Sequence, residues 1–170
     1  MKTLHKWEVK KLYIREIEEK DNQSMEHIIK RSLESFNLNI PGTAYFDPQL
    51  SSLAQYYKKL NNAKYWVAVN DEDKVVGGVG IAPFGIKGQV CELQKLYIVP
   101  EAQGKGLSKE LMTVALDFAR QHYTYCYLET LEILQTANLL YSKFGFQQLE
   151  KPLDETEHNA CDTWYIKKLT

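Results

Sequence analysis

One stretch of the chain decides the fold: Val99-Pro100-Glu101-Ala102-Gln103-Gly104-Lys105-Gly106-Leu107-Ser108-Lys109-Glu110-Leu111-Met112. A strand-like run over residues 93–99 ends at Pro100, and a short loop with two glycines then leads directly into an amphipathic helix. The first N–H groups of a helix have no acceptor within the helix and carry a partial positive charge, so they bind phosphate. Glycine has no Cβ to keep a diphosphate away from them. The stretch therefore predicts a site for a phosphorylated cofactor.

Two common phosphate-binding loops do not fit this stretch. A P-loop needs Ser or Thr directly after Gly-Lys, but here Gly104-Lys105 is followed by Gly106. The dinucleotide-binding fingerprint Gly-x-Gly-x-x-Gly needs a third glycine at the position where this chain has Lys109. The loop must therefore hold its phosphate in another way.

The residues Gln103-Gly104-Lys105-Gly106-Leu107-Ser108 resemble a signature of the GNAT superfamily of acyltransferases, Gln/Arg-x-x-Gly-x-Gly/Ala. The resemblance implies that this loop binds the pyrophosphate of acetyl-CoA. Ser108 replaces the usual final Gly or Ala, and serine is also compact.

A second signature follows about thirty residues downstream, in Ala137-Asn138-Leu139-Leu140-Tyr141-Ser142-Lys143-Phe144-Gly145-Phe146. It is similar to the family's Ala-x-x-Leu-Tyr-x-Lys-x-Gly-Phe, and Gly145 suits a helix C-terminus in left-handed geometry. Many members carry Asn seven residues before the Tyr, where this chain has Leu134. Asn138 lies nearby at another spacing, so it contacts the cofactor or faces solvent.

Periodicity predicts the order of the secondary-structure elements. Strands are expected over residues 10–17, 65–69, 75–81, 90–99, 125–130, 146–150 and 164–169, and helices over 25–36 with Ser24 as N-cap, over 48–60 with Asp47 as cap, after the phosphate loop and around Tyr141. Three glycines in the third strand, Gly77, Gly78 and Gly80, predict a bend or a close approach of the backbone.

Hairpins join the early strands and helices join the later ones, which predicts an α/β (α+β mixed) fold with a central, mixed, mostly antiparallel sheet flanked by helices. This order resembles the GNAT fold over nearly the whole chain, so residues 1–170 are expected to form a single domain. The resemblance also implies a V-shaped split in the sheet, through which the pantetheine arm of the cofactor passes.

Composition narrows the functional classes. The chain has 170 residues, 44% of them hydrophobic and 25% charged, which is usual for one globular domain. A net charge of −1 favours neither nucleic acid nor an anionic membrane. No apolar run approaches the length of a membrane span, and the N-terminus lacks a signal-peptide core, so we expect a cytoplasmic protein. Three scattered cysteines and four dispersed histidines predict reduced thiols and no metal site.

The family resemblance assigns most of the cofactor contacts. The strand before the phosphate loop carries a bulge in this family, which implies that Leu96, Tyr97 and Ile98 bind the pantetheine and the thioester oxygen through backbone N–H and C=O groups. Lys105, Lys109 and Lys143 are candidates for screening the CoA phosphates, although a single lysine is more often an ordinary surface residue.

Two side chains are candidates for proton transfer. Tyr141 resembles the tyrosine that protonates or positions the departing CoA sulfur, and a phenol is a neutral donor at pH 7. The alternative is that Tyr141 is a core residue. Glu92 lies where several GNAT enzymes place a glutamate that accepts the amine proton, and a partly buried carboxylate there has a raised pKa. Glu129 is the second candidate for the base, and either glutamate alternatively only attracts an ammonium substrate.

The predicted reaction is direct transfer of an acetyl group from acetyl-CoA to the amine of a small-molecule or peptide acceptor. The family resemblance implies that the loop and helices over residues 38–60 form the wall of the acceptor site. The acidic residues Asp154, Glu155, Glu157 and Asp162 are better explained as an ordinary surface loop than as an attraction for a cationic acceptor.

Two alternatives stay open, a non-catalytic acyl-CoA-binding sensor or scaffold and a nucleotide-binding regulator. Because a pure binder needs neither Tyr141 nor Glu92, their presence favours the enzyme. A homodimer is a family tendency that this sequence neither supports nor excludes.

Overall fold

The computed structural model describes residues 11–85, 87–154 and 157–170, which fold around one seven-stranded sheet. Lys10 of the predicted first strand and Glu155 of the acidic loop lie outside the described residues. The strands are β1 Tyr13–Glu16, β2 Lys64–Val69, β3 Val75–Pro83, β4 Val90–Ile98, β5 Tyr125–Thr130, β6 Gln147–Leu149 and β7 Thr163–Lys168, in the spatial order β1-β2-β3-β4-β5-β7-β6.

In the described residues, four α-helices and four short 3-10 turns surround the sheet. The helices are α1 Asn22–Ser35, α2 Leu53–Lys59, α3 Leu107–His122 and α4 Gln135–Lys143, and the 3-10 turns are Glu19–Asp21, Ala44–Phe46, Pro48–Ser52 and Pro100–Ala102. None of the helices in the described residues is long and apolar enough to cross a membrane.

The predicted mixed, mostly antiparallel sheet is confirmed. Among the strands that the structure describes, only β4 and β5 pair in parallel, and the other five neighbouring pairs are antiparallel. Helix α3 covers one face of the sheet with side chains such as Leu111 and Ala115, while α1 and α2 cover the other face with side chains such as Met25 and Leu53. All four of these side chains are 0% exposed.

Two predicted helix starts are wrong. Helix α1 begins at Asn22 rather than after Ser24, because the 3-10 turn Glu19–Asp21, in which the Asp21 carboxylate accepts the backbone N–H of Glu18 at 2.8 Å, continues directly into it. The predicted helix over 48–60 is divided, since Pro48–Ser52 is a 3-10 turn and α2 starts only at Leu53. Asp47 makes no capping hydrogen bond, because its carboxylate is bound elsewhere, as described below.

The sheet splits between β4 and β5. These strands pair at only three positions, from Val90 with Tyr125 to Glu92 with Tyr127. Beyond Glu92, strand β5 continues by pairing with β7, while β4 continues by pairing with β3. The edge of β4 over residues 93–98 therefore faces the split without a strand partner in the described chain. This is the V-shaped opening that the family resemblance implies.

A bulge in β4 lies next to this split. Gly78 pairs with Tyr97 and Gly80 pairs with Gln94, so a single residue of β3 opposes both Lys95 and Leu96. Lys95 has a φ of 51°, which is left-handed geometry that non-glycine residues seldom adopt. The predicted bulge before the phosphate loop is thus present.

A buried tyrosine holds the bulge in place. The hydroxyl of Tyr65, a residue that is 1% exposed, donates a 2.7 Å hydrogen bond to the backbone carbonyl of Lys95. A Cβ on Gly78 would lie 2.5 Å from Cε1 of Tyr65, and one on Gly80 would lie 2.6 Å from the hydroxyl of Tyr57. The glycines are therefore needed because two aromatic rings lie directly against β3, which confirms the predicted close approach.

Replacing Tyr65 by Phe tests the contribution of this hydrogen bond. We expect Tyr65→Phe to lower the free energy of unfolding by about 1–3 kcal/mol, because the buried Lys95 carbonyl then lacks a donor. Urea denaturation measures the change. The matched control is Tyr13→Phe, since Tyr13 is 45% exposed, and its effect should stay within about 0.5 kcal/mol. Equal effects of the two substitutions would contradict the role given to Tyr65.

Candidate active site

A cavity of about 100 Å³ opens at the split in the sheet. By volume it has room for several water molecules or for a small polar group. Its wall combines β4, β5, α4, the 3-10 turn Ala44–Phe46 and the loop between β6 and β7. The polar and aromatic residues that line it are Thr43, Glu92, Gln94, Lys95, Tyr97, Glu129, Thr130, Tyr141, His158 and Cys161.

Tyr141 belongs both to the core and to the cavity wall. Its ring centroid lies 6.1 Å from that of Phe146 and 5.8 Å from that of Tyr165, and the residue is only 7% exposed. Burial raises the pKa of the Tyr141 phenol well above its usual value. The hydroxyl therefore keeps its proton at neutral pH, which a proton donor must do. The core packing and the catalytic interpretation are compatible.

Glu92 lies half-buried at the last position where β4 and β5 pair. Burial raises the pKa of its carboxyl group to about 7, with a further contribution from the negative charge of Glu129. A hydrogen bond from Gln94 and the positive charges of His158 and Lys95 oppose this shift. A carboxylate with a pKa near 7 is suited to accept a proton at physiological pH.

Two further side chains hold Glu92 in position. The Tyr57 hydroxyl donates a 2.6 Å hydrogen bond to Oε1 of Gln94, and the amide nitrogen of Gln94 donates to Oε1 of Glu92. Tyr57 is 2% exposed and rests against Gly80, so the donor of this short relay is itself fixed by the core. Gln94 follows Glu92 by two residues, which is the spacing of one strand face.

A buried charge cluster, which the sequence did not predict, lies beside the relay. The Lys95 Nζ atom is 2.8 Å from Oδ2 of Asp47, and the two side chains are only 3% and 7% exposed. The His158 Nε2 atom is 2.8 Å from Oδ1 and 2.9 Å from Oδ2 of the same carboxylate. A single aspartate is therefore shared by two basic groups from distant parts of the chain.

The cluster changes the ionisation of its members. Burial alone would raise the pKa of Asp47, but the hydrogen bond from His158 and the charge of Lys95 bring it below its usual value. The hydrogen bond to Asp47 raises the pKa of His158.

One signal of this charge cluster was available in the sequence, because the polar–apolar alternation of β4 slips by one residue where Lys95 follows Gln94.

The predicted phosphate loop has the expected geometry. Gly104 and Gly106 have φ values of 76° and 82°, and helix α3 starts at Leu107 directly after them. A Cβ added to either glycine meets nothing within 4 Å, so the space in front of the loop is open. Lys105 and Lys109 are exposed. Diphosphate binding by the first-turn N–H groups of α3 stays a prediction.

Other predicted cofactor residues have structural roles of their own. The Gln103 side chain donates a 3.0 Å hydrogen bond to the carbonyl of Ile98 and so fastens the loop to the end of β4. The Asn138 amide donates to the carbonyls of Leu131 and Leu134 at 3.0 and 2.9 Å and orders the start of α4. A cofactor contact of Asn138 stays a prediction.

The cavity brings together only some of the residues predicted as site residues. Glu92, Leu96, Tyr97 and Tyr141 line it. The phosphate loop and Lys143 do not, and Lys143 is exposed. The predicted site residues therefore lie in two places, the glycine loop before α3 and the cavity at the split, and the edge of β4 over residues 93–98 runs between them.

Comparison with known proteins gives a consistent result. Residues 13–146 match the profile of the "Acetyltransferase (GNAT) family". The chain is 38% identical over 152 residues to the uncharacterized N-acetyltransferase YjgM of Escherichia coli (strain K12), an alignment that covers 88% of this chain and 90% of that protein.

Solved structures share the fold. A GNAT-family acetyltransferase from Staphylococcus aureus Mu50 superposes with a TM-score of 0.82 at 18% identity and covers 94% of this chain and 100% of its own. The protein yncA of Salmonella typhimurium, solved with its cofactor acetyl-CoA, superposes with a TM-score of 0.73 at 16% identity, covering 94% and 95%. At this level of identity the likeness concerns the fold alone.

Replacing Gly106 tests the phosphate loop. We expect Gly106→Ala to weaken the binding of coenzyme A at least tenfold in calorimetry, because the added methyl group occupies the space in front of the amides and strains the backbone.

Gly85→Ala is the matched control, since Gly85 has a φ of 71° and a Cβ there also meets nothing within 4 Å. Both variants should lose similar stability, about 1 kcal/mol. If both also bind coenzyme A as tightly as the parent protein, the loop does not hold the diphosphate.

Proposed function

The chain belongs to the GNAT family of acetyltransferases, and on this premise we propose that it transfers an acetyl group from acetyl-CoA directly to the amine of a small acceptor. One observation carries the proposal. A half-buried carboxyl group with a pKa near 7, Glu92, and a protonated phenol, Tyr141, line the same small cavity at the split in the sheet. Amine acetylation needs a proton acceptor and a proton donor at one place.

The binding of acetyl-CoA is assigned to two parts of the structure. The amides of the loop Gln103 to Ser108 hold the diphosphate, and the unpaired edge of β4 at Leu96, Tyr97 and Ile98 pairs with the pantetheine arm and the thioester carbonyl. Lys105, Lys109, Lys143 and Asn138 stay candidates for contacts to the nucleotide end. When bound, acetyl-CoA supplies an acetyl group that is already activated as a thioester.

Glu92 acts as the base. An amine enters mostly as ammonium, and its nitrogen can attack a carbonyl carbon only after losing a proton. Glu92 accepts that proton, directly or through a water molecule, while Gln94 holds the carboxylate in position. The neutral amine nitrogen then forms the new bond to the acetyl carbon.

Tyr141 completes the transfer. As the bond between the acetyl carbon and sulfur breaks, the departing sulfur gains an electron pair, and the Tyr141 hydroxyl donates its proton to it. Because burial raises the pKa of this phenol, the hydroxyl is protonated before the transfer. The nitrogen loses its second proton to solvent as the amide forms, the proton held by Glu92 also returns to solvent, and a proton from solvent restores Tyr141.

Tyr141→Phe tests the donor. We expect kcat to fall about a hundredfold, because a general acid contributes typically 10²–10⁴-fold, while coenzyme A binds within about twofold of the parent affinity. Release of free thiol measures the rate and calorimetry the affinity. The matched control is Tyr165→Phe, which removes a neighbouring buried hydroxyl that does not line the cavity. Undiminished turnover in Tyr141→Phe would show that this hydroxyl donates no proton.

The pH profile tests the base. In the parent enzyme kcat/KM for the amine should rise as pH increases through about 7, because only ionised Glu92 accepts a proton. Glu92→Gln should remove this rise in kcat/KM and leave only the rise that comes from deprotonation of the amine itself. Gln94→Leu should move the rise that belongs to Glu92 to higher pH, since the variant loses a hydrogen bond that favours the ionised carboxylate. A profile identical in all three proteins excludes Glu92 as the base and leaves Glu129.

A further inference from the structure

The ammonium group of Lys95 has spare hydrogen-bonding capacity inside the cavity. A lysine has three donors, and within residues 11–85, 87–154 and 157–170 the only partner of Nζ is the Asp47 carboxylate at 2.8 Å. The side chain is 3% exposed, and Lys95 is one of the residues that line the cavity. A buried charge is costly unless it is fully paired, so two remaining donors at a binding cavity indicate an anionic ligand group.

The backbone of Lys95 supports the same conclusion. Its left-handed φ of 51° costs about 1–2 kcal/mol in a residue with a side chain. Strained backbone of this kind is concentrated at functional sites, where the rest of the fold enforces it. Here the Tyr65 hydrogen bond enforces it, and the result is that the Lys95 ammonium reaches Asp47 on the side of the cavity.

The charges around the cavity are separated by sign. Lys95 and His158 lie at the Asp47 end, and the hydrogen bond to Asp47 favours the protonated form of His158. The Asp47 carboxylate is thus shared between the Lys95 ammonium and the His158 imidazole. The carboxyl groups of Glu92 and Glu129 lie on β4 and β5, where the amine has to lose its proton. The cavity is therefore bipolar.

We propose that the acceptor is an amino acid, whose amine lies at Glu92 and whose carboxylate binds the Lys95 ammonium beside His158. Glu92 and Lys95 are three residues apart on β4, a separation of at most about 10 Å of backbone, which suits a small molecule with an amine and a carboxylate only a few bonds apart. A polyamine would place its second positive charge against Lys95 and His158. This inference rests on the proposed function and names its substrate class.

Matched pairs of acceptors test the inference. The pairs are glycine and methylamine, L-serine and ethanolamine, and L-phenylalanine and phenethylamine, with spermidine as the dication. Thiol release from acetyl-CoA gives kcat/KM, and mass spectrometry identifies the products. We expect at least one amino acid to exceed its decarboxylated partner at least tenfold. Wild-type protein that prefers the decarboxylated amines or spermidine overturns the inference and leaves the acetyltransferase function intact.

Lys95→Met tests whether Lys95 causes the preference. The variant keeps the length of the side chain but loses the charge, so the ratio of kcat/KM between amino acid and decarboxylated amine should fall at least tenfold towards one. If this variant does not fold, Lys95→Met with Asp47→Asn removes both members of the ion pair and leaves no uncompensated carboxylate. Lys59→Met, an exposed lysine of α2, is the control. A preference unchanged by the loss of Lys95 overturns the inference.

Product binding separates this inference from the proposed function. If no amine in the panel is acetylated, the proposed function is contradicted. Calorimetry in the presence of coenzyme A then measures whether the cavity still prefers a ligand with a carboxylate. N-acetylserine should bind at least tenfold more tightly than N-acetylethanolamine, and Lys95→Met should remove the difference. Equal binding of the two compounds to the parent protein overturns the inference.

Discussion

The hydrogen bond from the Tyr65 hydroxyl to the Lys95 carbonyl is the interaction on which the site depends. Without the bulge, strict alternation would place Lys95 on the same face as Cys91 and Leu93, which pack in the core under α3. The bulge turns Lys95 to the face of Glu92 and Gln94. Buried Tyr65 satisfies the carbonyl that this distortion displaces, and Gly78 leaves room for its ring.

The cavity is surrounded by a small set of charged side chains whose charges do not fully cancel. Lys95 and Asp47 are almost fully buried, a placement that stabilises a protein only when every hydrogen-bonding group is satisfied. His158 shares the aspartate and ties the loop after β6 to the start of the Pro48–Ser52 turn. A second contact, from the Ala160 N–H to the Gly42 carbonyl at 3.1 Å, joins the same two loops. The loop that closes the cavity is therefore held by charge and by backbone pairing.

The sequence predicts the parts of this protein that follow local rules. The glycines before α3, the helix that carries Tyr141 and the mixed character of the sheet follow from periodicity, turn chemistry and two motifs, while the split in the sheet came from the family resemblance. Asp47 shows where such reasoning fails, because aspartate before proline is an ordinary helix cap and nothing local indicates Lys95 and His158 as its partners. These residues lie 48 and 111 positions away along the chain. Contacts between loops that only the complete fold brings together are not encoded in local patterns.

The ionisation of Glu92 links the chemistry of the site to its stability. In an acid whose pKa is raised by folding, from 4.5 to about 7, the folded state holds a proton that the unfolded chain releases. Below about pH 4.5 this group therefore leaves the free energy of unfolding unchanged. As pH rises from there through about 7, the free energy of unfolding falls by on the order of 3 kcal/mol in total. The same rise in pH produces the ionised carboxylate that accepts the amine proton. Lys95, His158 and Gln94 each favour that ionised form, so the groups that surround Glu92 limit the cost in stability while keeping its pKa close to neutrality.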